Sequence, residues 1–439
     1  MRRFILPALT SLATLAACQQ PVPAQDAPPS DPSQSSQPTG QTMPLPIAVT
    51  DETTRYALVP GNNRFAWSLY DALGAKPGNV FVSPASVSGA FALLYPGAAG
   101  ETAEHMAALF GYDAVPAEVF PAAERSLSQA VLSETDKAKL TVANAVWLRE
   151  GSELQAGYRD AVQNVMLAKV ALVDFTKPAP AAKLINSWVE DHTNDKIHDL
   201  IPPSAIRPGL TELILTNAVW FKADWESPFK AEATDDDTFH TPSGDITAKL
   251  MKQTLKHVRY LSRDGYAAVD LDYAGDDYAL TVILPDAQDG LADVARAMTP
   301  DSFTALLADI DTATEQRVHV VLPKVKIEAD YNLNDAMIAL GLGDAFSGNA
   351  NFSRLIEGAG PGDLLISQVL HKTFLDIDEK GTEAAAATAI IMERAMAMPP
   401  QDEPIEFRAD HPFLIVLRHK PTGMVMFMGR VDAPPAAED

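Results

Sequence analysis

Three features of the sequence predict an α+β domain. Apolar residues at helical spacing mark its first part, strand-like runs dominate its second, and no internal repeat or second linker divides the patterned region. That region runs from Asp51 to about Pro434. Phe65, Leu69 and Leu73 follow one helical face at spacings of four, and the turn signal Gly78-Asn79 then leads into the apolar Val80-Phe81-Val82. Ser83-Pro84 can open a second helix through Phe91-Ala92-Leu93-Leu94. Leu184, Ile185, Trp188 and Val189 mark a third, amphipathic helix. Strands are expected over 278–284, 319–327, 413–417 and 424–431. In 373–378, Leu375 and Ile377 alternate with Asp376 and Asp378, the pattern of a half-buried strand.

Composition sets the limits. The 439 residues are 47% hydrophobic, enough for a substantial core. A formal net charge of −24 without a dense Lys/Arg cluster argues against a nucleic-acid partner or a heparin-like activator. Met1-Arg2-Arg3 followed by the short apolar run 4–17 reads as an export signal, too short to span a bilayer. The only cysteine, Cys18, ends Leu15-Ala16-Ala17-Cys18, which resembles the bacterial lipobox whose cysteine is lipidated. Residues 1–17 are therefore expected to be a lipoprotein signal peptide, and 18–50, rich in Pro, Gln and Ser, a lipidated Cys with a flexible tether. A domain over 51–434 and a tail over 435–439 complete the chain. The expected location is the bacterial cell envelope, outer membrane favoured, facing periplasm or exterior.

Enzyme signatures are lacking. The sequence contains no G-x-S-x-G, H-E-x-x-H or P-loop motif, and Gly341-Leu342-Gly343 lacks the third glycine of a dinucleotide loop. The nine histidines show no spacing that singles out a triad or metal site. Asp235-Asp236-Asp237 lacks the ligand spacing of a calcium loop and reads as a solvated charge run. No cofactor and no metal are expected.

The most unusual stretch joins two expected strands. Residues 379–405 are too long a connection for a compact domain unless they are functional. They open with Glu379-Lys380-Gly381-Thr382-Glu383-Ala384-Ala385-Ala386-Ala387-Thr388. Read as a strand, Thr382, Ala384, Ala386 and Thr388 share a uniformly small face, suited to slipping between strands over a packed core.

This segment is similar to the hinge of inhibitory serpins, and the resemblance extends along residues 55–434. It includes "GNVFVSPASVSGAFALLYPGAAGETAEHM", "LTNAVWFKADWESPF", "VVLPKVKIEADYNLNDAMIALGLGDAF", "HKTFLDIDEKGTEAAAATA", "FRADHPFLIVLRH" and "MFMGRV". The resemblance implies one domain with a large main β-sheet, two smaller sheets, about nine helices and an exposed reactive loop. It implies a suicide-substrate inhibitor of serine proteases. The target cuts the loop and forms an acyl-enzyme; the hinge then inserts into the main sheet. Such a protein is no catalyst, and a monomer is expected. A non-inhibitory chaperone or carrier member would usually carry a hinge spoiled by bulky, charged or Pro residues, and a lipid-anchored hydrolase would need turnover.

Carried over residue by residue, the resemblance assigns Ser83, Ser86, Asn217 and His371 to a polar shutter beneath the sheet centre. Trp225, Lys324 and Glu379 match the breach, where the loop first enters, and residues 379–388 the hinge. Counting on from Gly381 places the reactive bond between Ala395 and Met396. Alignment on Pro399-Pro400 places it after Met396, before Ala397, and Arg394 is the basic alternative. Ala395 or Met396 would fit an elastase-like pocket and Arg394 a trypsin-like one.

Overall fold

The structure is a computed structural model that describes residues 52–132, 135, 137–382 and 403–437. The leader, Cys18, the tether, hinge positions 383–388 and reactive-bond candidates 394–397 lie outside the described residues.

Six strands form the main sheet. Their order is Val325–Asn332, Gln368–Ile377, Gly381–Thr382, Leu213–Asp224, Ala138–Arg149 and Lys169–Val173. The central strand Leu213–Asp224 is covered on both faces, so its residues are almost continuously buried. Leu215, Val219 and Phe221 enter the large core shared with helix Pro84–Ala92. On the opposite face, Ile214 and Ala218 pack with Trp147, Leu370, Ile185 and Val189 beneath helix Pro178–His192. Helix Pro84–Ala92 starts where its sequence says it should. Ser83 accepts from the Ser86 N–H as an N-cap, and Pro84 occupies the first turn.

The second sheet runs Val80–Val82, Met424–Val431, Phe413–His419, Tyr278–Pro285, Tyr266–Asp272, Gly244–Arg263, Glu315–Pro323 and Ile405–Arg408. Thr234–Thr241 pairs with Gly244–Arg263 outside that order. Gly244–Arg263 spans 20 residues and shifts register between Leu255 and Val258. It thereby passes from its partner Thr234–Thr241 to Tyr266–Asp272. The two smaller sheets of the expected fold are thus joined in one hydrogen-bonded ladder through a single bent strand.

The α+β architecture agrees with expectation, but two local readings change. Main-sheet strands Ala138–Arg149 and Lys169–Val173 lie in the part of the chain that looked helical. The expected strand 319–327 divides at Lys324, with Glu315–Pro323 in the second sheet and Val325–Asn332 at the edge of the main one. Pro323, which has no N–H to donate, pairs with Leu250, and the Lys324 N–H still reaches Lys249 O at 2.9 Å before the chain changes sheet, whereas the apolar pattern continues across the break. Asp235, Asp236 and Asp237 are strand residues paired with Lys252, Lys249 and Arg408 respectively. Among the described residues no cluster of His, Cys, Asp or Glu could hold a metal ion. No described helix is long and apolar enough to cross a membrane.

One buried ion pair underpins the second sheet. Arg418 is fully buried and bonds to Asp270, with Thr281 Oγ1 at 2.9 Å and Asp311 Oδ1 at 2.8 Å. Removing one partner leaves an uncompensated buried charge. Asp270→Ala is therefore expected to lower unfolding stability by about 3–5 kcal/mol in denaturant titration, whereas Asp311→Ala, at the exposed end, should cost far less.

Candidate functional site

The chain reverses direction at residues 378–381. The Asp378 carboxylate accepts from the Lys380 N–H at 2.8 Å and the Gly381 N–H at 3.2 Å, while the Asp378 N–H donates to Gly381 O at 2.9 Å. The turn returns Gly381–Thr382 between two strands of the main sheet. Thr382 lies opposite Ile377 on one side and Ala223 on the other, antiparallel to both. Gly381 is required by close approach: a Cβ there would stand 2.0 Å from Ala223 O and 2.7 Å from Asp224 Cα. Farther along, the same two strands meet directly as a parallel ladder from Phe374 opposite Trp220 to Gln368 opposite Ile214. The first two strand residues of the hinge thus form a wedge at the end of a closed seam.

The sequence-expected breach residues hold the wedge. Lys324 Nζ lies 2.7 Å from Glu379 Oε2, and Thr234 Oγ1 donates to Glu379 Oε1 at 2.9 Å. Burial alone would raise the Glu379 carboxyl, but hydrogen bonds from Lys324, backbone and Thr234 outweigh it and hold the group below the usual range. Trp225, 3% exposed, donates its indole N–H to Asp378 O at 3.0 Å. The backbone N–H groups of Trp225 and Phe229 reach Lys380 O and Glu379 O, each at 2.7 Å. Thr234 and Tyr273 were not expected from sequence. Tyr273 stacks on Trp225 at 4.4 Å, and its hydroxyl lies 2.7 Å from Thr382 Oγ1, both side chains fully buried.

The shutter residues meet beneath the seam. The Ser83 N–H donates to His371 Nε2 at 3.1 Å, and Ser83 Oγ donates to Met426 O at 2.7 Å. Asn217 donates to both Ser86 Oγ and Asn144 Oδ1. Asn144 donates in turn to Ser86 O at 3.1 Å. Asn144, Asn217 and His371 occupy facing positions on three adjacent strands. Asn144 was missed in the sequence, although a signal existed: Asn144-Ala145-Val146-Trp147 repeats Asn217-Ala218-Val219-Trp220, and the two asparagines pair across the ladder.

Polar satisfaction here is incomplete. Because Nε2 accepts from Ser83, the neutral His371 ring carries its proton on Nδ1. That Nδ1 and Asn217 Oδ1 are both buried without a hydrogen-bond partner. A buried polar group left unpaired costs about 1–3 kcal/mol. The resting sheet therefore holds a donor and an acceptor whose needs it does not meet.

Profile and homologue comparisons agree on one family. Residues 60–434 match the family described as "Serpin (serine protease inhibitor)". An uncharacterized serpin-like protein of Thermococcus kodakarensis is 35% identical over 441 residues, covering 99% of each chain. Leukocyte elastase inhibitor of Bos taurus is 34% identical over 86% of this chain and 99% of its own. Among solved structures, Serpin48 of the insect Tenebrio molitor superposes with a TM-score of 0.76 at 29% identity, covering 88% of this chain and 100% of that one.

Two predictions follow from the geometry. Gly381→Val should expel the wedge. Hydrogen exchange at the Gly381 and Thr382 amides should rise sharply, with a stability loss of about 1–3 kcal/mol, whereas Gly151→Val at an open turn should leave that exchange unchanged. The second concerns His371, which burial pushes down to about 3 despite a partial offset from the Asn217 backbone. An unfolded histidine titrates near 6.5, so the unfolded chain binds the extra proton between about pH 6.5 and 3. The resulting stability is present above pH 6.5 and is lost as pH falls through that window. Chemical denaturation of wild type and His371→Gln across pH 4–7 should show a shallower acid loss in the variant, since shared titrations such as His419, also lowered, to about 4, cancel.

Proposed function

The chain belongs to the serpin family, and on that premise we propose that it inhibits serine proteases irreversibly, as a suicide substrate. The observation that carries the reading is the wedge: Gly381–Thr382 already stands as a strand between Gln368–Ile377 and Leu213–Asp224, which close directly on one another beyond it. Continuing the hinge into that seam would replace one parallel ladder by two antiparallel ones. At about 0.5–1.5 kcal/mol per added hydrogen bond, a strand of roughly twelve residues contributes on the order of 10 kcal/mol. A protease tethered to the strand has a similar margin of stability to lose.

The chemistry belongs to the target. Its serine attacks a carbonyl among Arg394–Ala397, with Ala395 or Met396 favoured; the peptide bond breaks, the new amino terminus leaves, and the acyl-enzyme remains on the hinge side. Insertion then carries the ester-linked protease away before water can complete hydrolysis. Strand alternation would send Ala384, Ala386 and Thr388 to the same inward face as Thr382. Entry there parts the strands that carry Asn217 and His371, whose Oδ1 and Nδ1 are unpartnered while the seam is closed. Elastase-like targets suit the small or thioether side chains at Ala395 and Met396, and trypsin-like ones suit Arg394. We further propose a monomer lipidated at Cys18 and held in the bacterial envelope by its tether; the Arg2-Arg3 start, the apolar run and the cysteine at its end support this. The acidic balance supports inhibition without a heparin-like activator.

The test is incubation with elastase-like and trypsin-like proteases, followed by denaturing electrophoresis and the mass of the released C-terminal peptide. A heat- and SDS-stable complex is expected, with a peptide beginning at Met396 or Ala397. A peptide beginning at Ala395 assigns Arg394 instead, and complete cleavage without complex removes the inhibitory reading. Ala386→Arg should still be cleaved but lose about tenfold or more of its complex, since an unpaired buried charge costs several kcal/mol. Thr382 is the poorer site for that test, because it already packs on Tyr273 in the resting fold.

A further inference from the structure

A cleft of about 670 Å³ opens beside the shutter, between helix Phe120–Val131, helix Pro84–Ala92 and strand Ala138–Arg149. Its walls are apolar, built from Leu93, Leu127, Val142, Met166, Met424 and Met426. This size and lining suit a small organic molecule. Polar groups also line it, among them the one carboxylate, Glu124, whose Oε1 accepts from Ser128 Oγ at 3.1 Å. Among the described residues no Lys, Arg or His forms an ion pair with it. Gly89 faces both polar groups: a Cβ there would make an ordinary contact with Glu124 Oε1 at 3.6 Å and a tighter one with Asn144 Nδ2 at 3.2 Å, so the carboxyl and the amide meet on one side of the cleft.

We propose that this cleft binds a small apolar molecule carrying a protonated amine, which sets its ammonium against Glu124. A carboxyl in an apolar wall without a cation is costly to ionise, and a ligand ammonium removes that cost. Burial alone pushes Glu124 up to about 7, with only a partial offset from the Ser128 hydroxyl and no contribution from a charged neighbour. Arg125 and Lys169 also line the cleft and would favour an anion, but Lys169 is exposed, where a hydrated ammonium contributes little. Glu124 and Asn144 lie at the floor, next to Ser86, so an occupant touches the polar cluster under the seam. The site goes beyond protease inhibition and does not depend on it.

Affinity for the amine should rise with pH from 6 to 8 as Glu124 ionises. The other titratable and charged groups lining the cleft are Arg125, Lys169 and His192.

The test is titration calorimetry of the full chain with octylamine, octanoate and octanol at pH 6 and pH 8. Octylamine should bind about tenfold more tightly than octanol at pH 8, the scale of one charge-assisted hydrogen bond. Glu124→Gln should abolish that preference and its pH dependence while leaving the far-UV spectrum unchanged. Met166→Trp, which fills the cleft, should weaken amine and alcohol alike. Tighter binding of octanoate, equal binding of all three probes, no saturable binding, or an amine preference that survives Glu124→Gln would each overturn the proposal.

Discussion

The fold turns on one seam, the direct parallel pairing of Gln368–Ile377 with Leu213–Asp224 in the middle of the main sheet. Both strands run in the same direction, so a third strand can enter between them antiparallel to each. The Asx turn at Asp378 aims the chain into that position, and two residues have already entered. Everything else in the site concerns how far the seam stays closed. The Lys324–Glu379 pair and the Trp225–Tyr273 stack hold its mouth, and the polar cluster of Ser83, Ser86, Asn144, Asn217 and His371 crosses it from below.

The two clusters differ in physical character. At the mouth, Lys324 is 39% exposed and Glu379 is 15% exposed, so the pair forms register rather than a deep electrostatic anchor. Beneath the seam, Ser83, Ser86, Asn217 and His371 are buried and their polar atoms have to be counted. There the chain keeps an imidazole that cannot readily be protonated and leaves its Nδ1 unpaired beside an unpaired amide oxygen. A core optimised only for resting stability would replace such atoms with apolar ones. On the proposed mechanism, these unpaired atoms lie at the seam that the hinge would open.

Much of this was legible in the chain. Alternation in Thr373–Asp378 needed no partner to be recognised, because pleating is local physics. The Ser83-Pro84 helix start was equally local, a cap and a preset φ. The family resemblance supplied the shutter and breach residues, which no local rule could have linked, since Ser83 and His371 are 288 positions apart.

What only the tertiary structure decided is where these segments meet. Tyr273 carries no local mark of function, and Asn144 is marked only by the Asn-Ala-Val-Trp it shares with Asn217; one lies just past the end of a strand in the second sheet, the other in a largely apolar strand. They matter because folding places Asn144 opposite Asn217 and the Tyr273 hydroxyl on Thr382. The division of the 319–327 run at Lys324 was likewise invisible, because hydrophobic patterning reports burial and is blind to which sheet buries it. The sequence alone determined the α+β class, and with the family resemblance it marked Ser83, Ser86, Asn217, His371, Trp225, Lys324 and Glu379 but not Asn144 or Tyr273. Register, the closed seam and the two-residue wedge depend on contacts between distant segments, whose pairing is set by packing of the whole core.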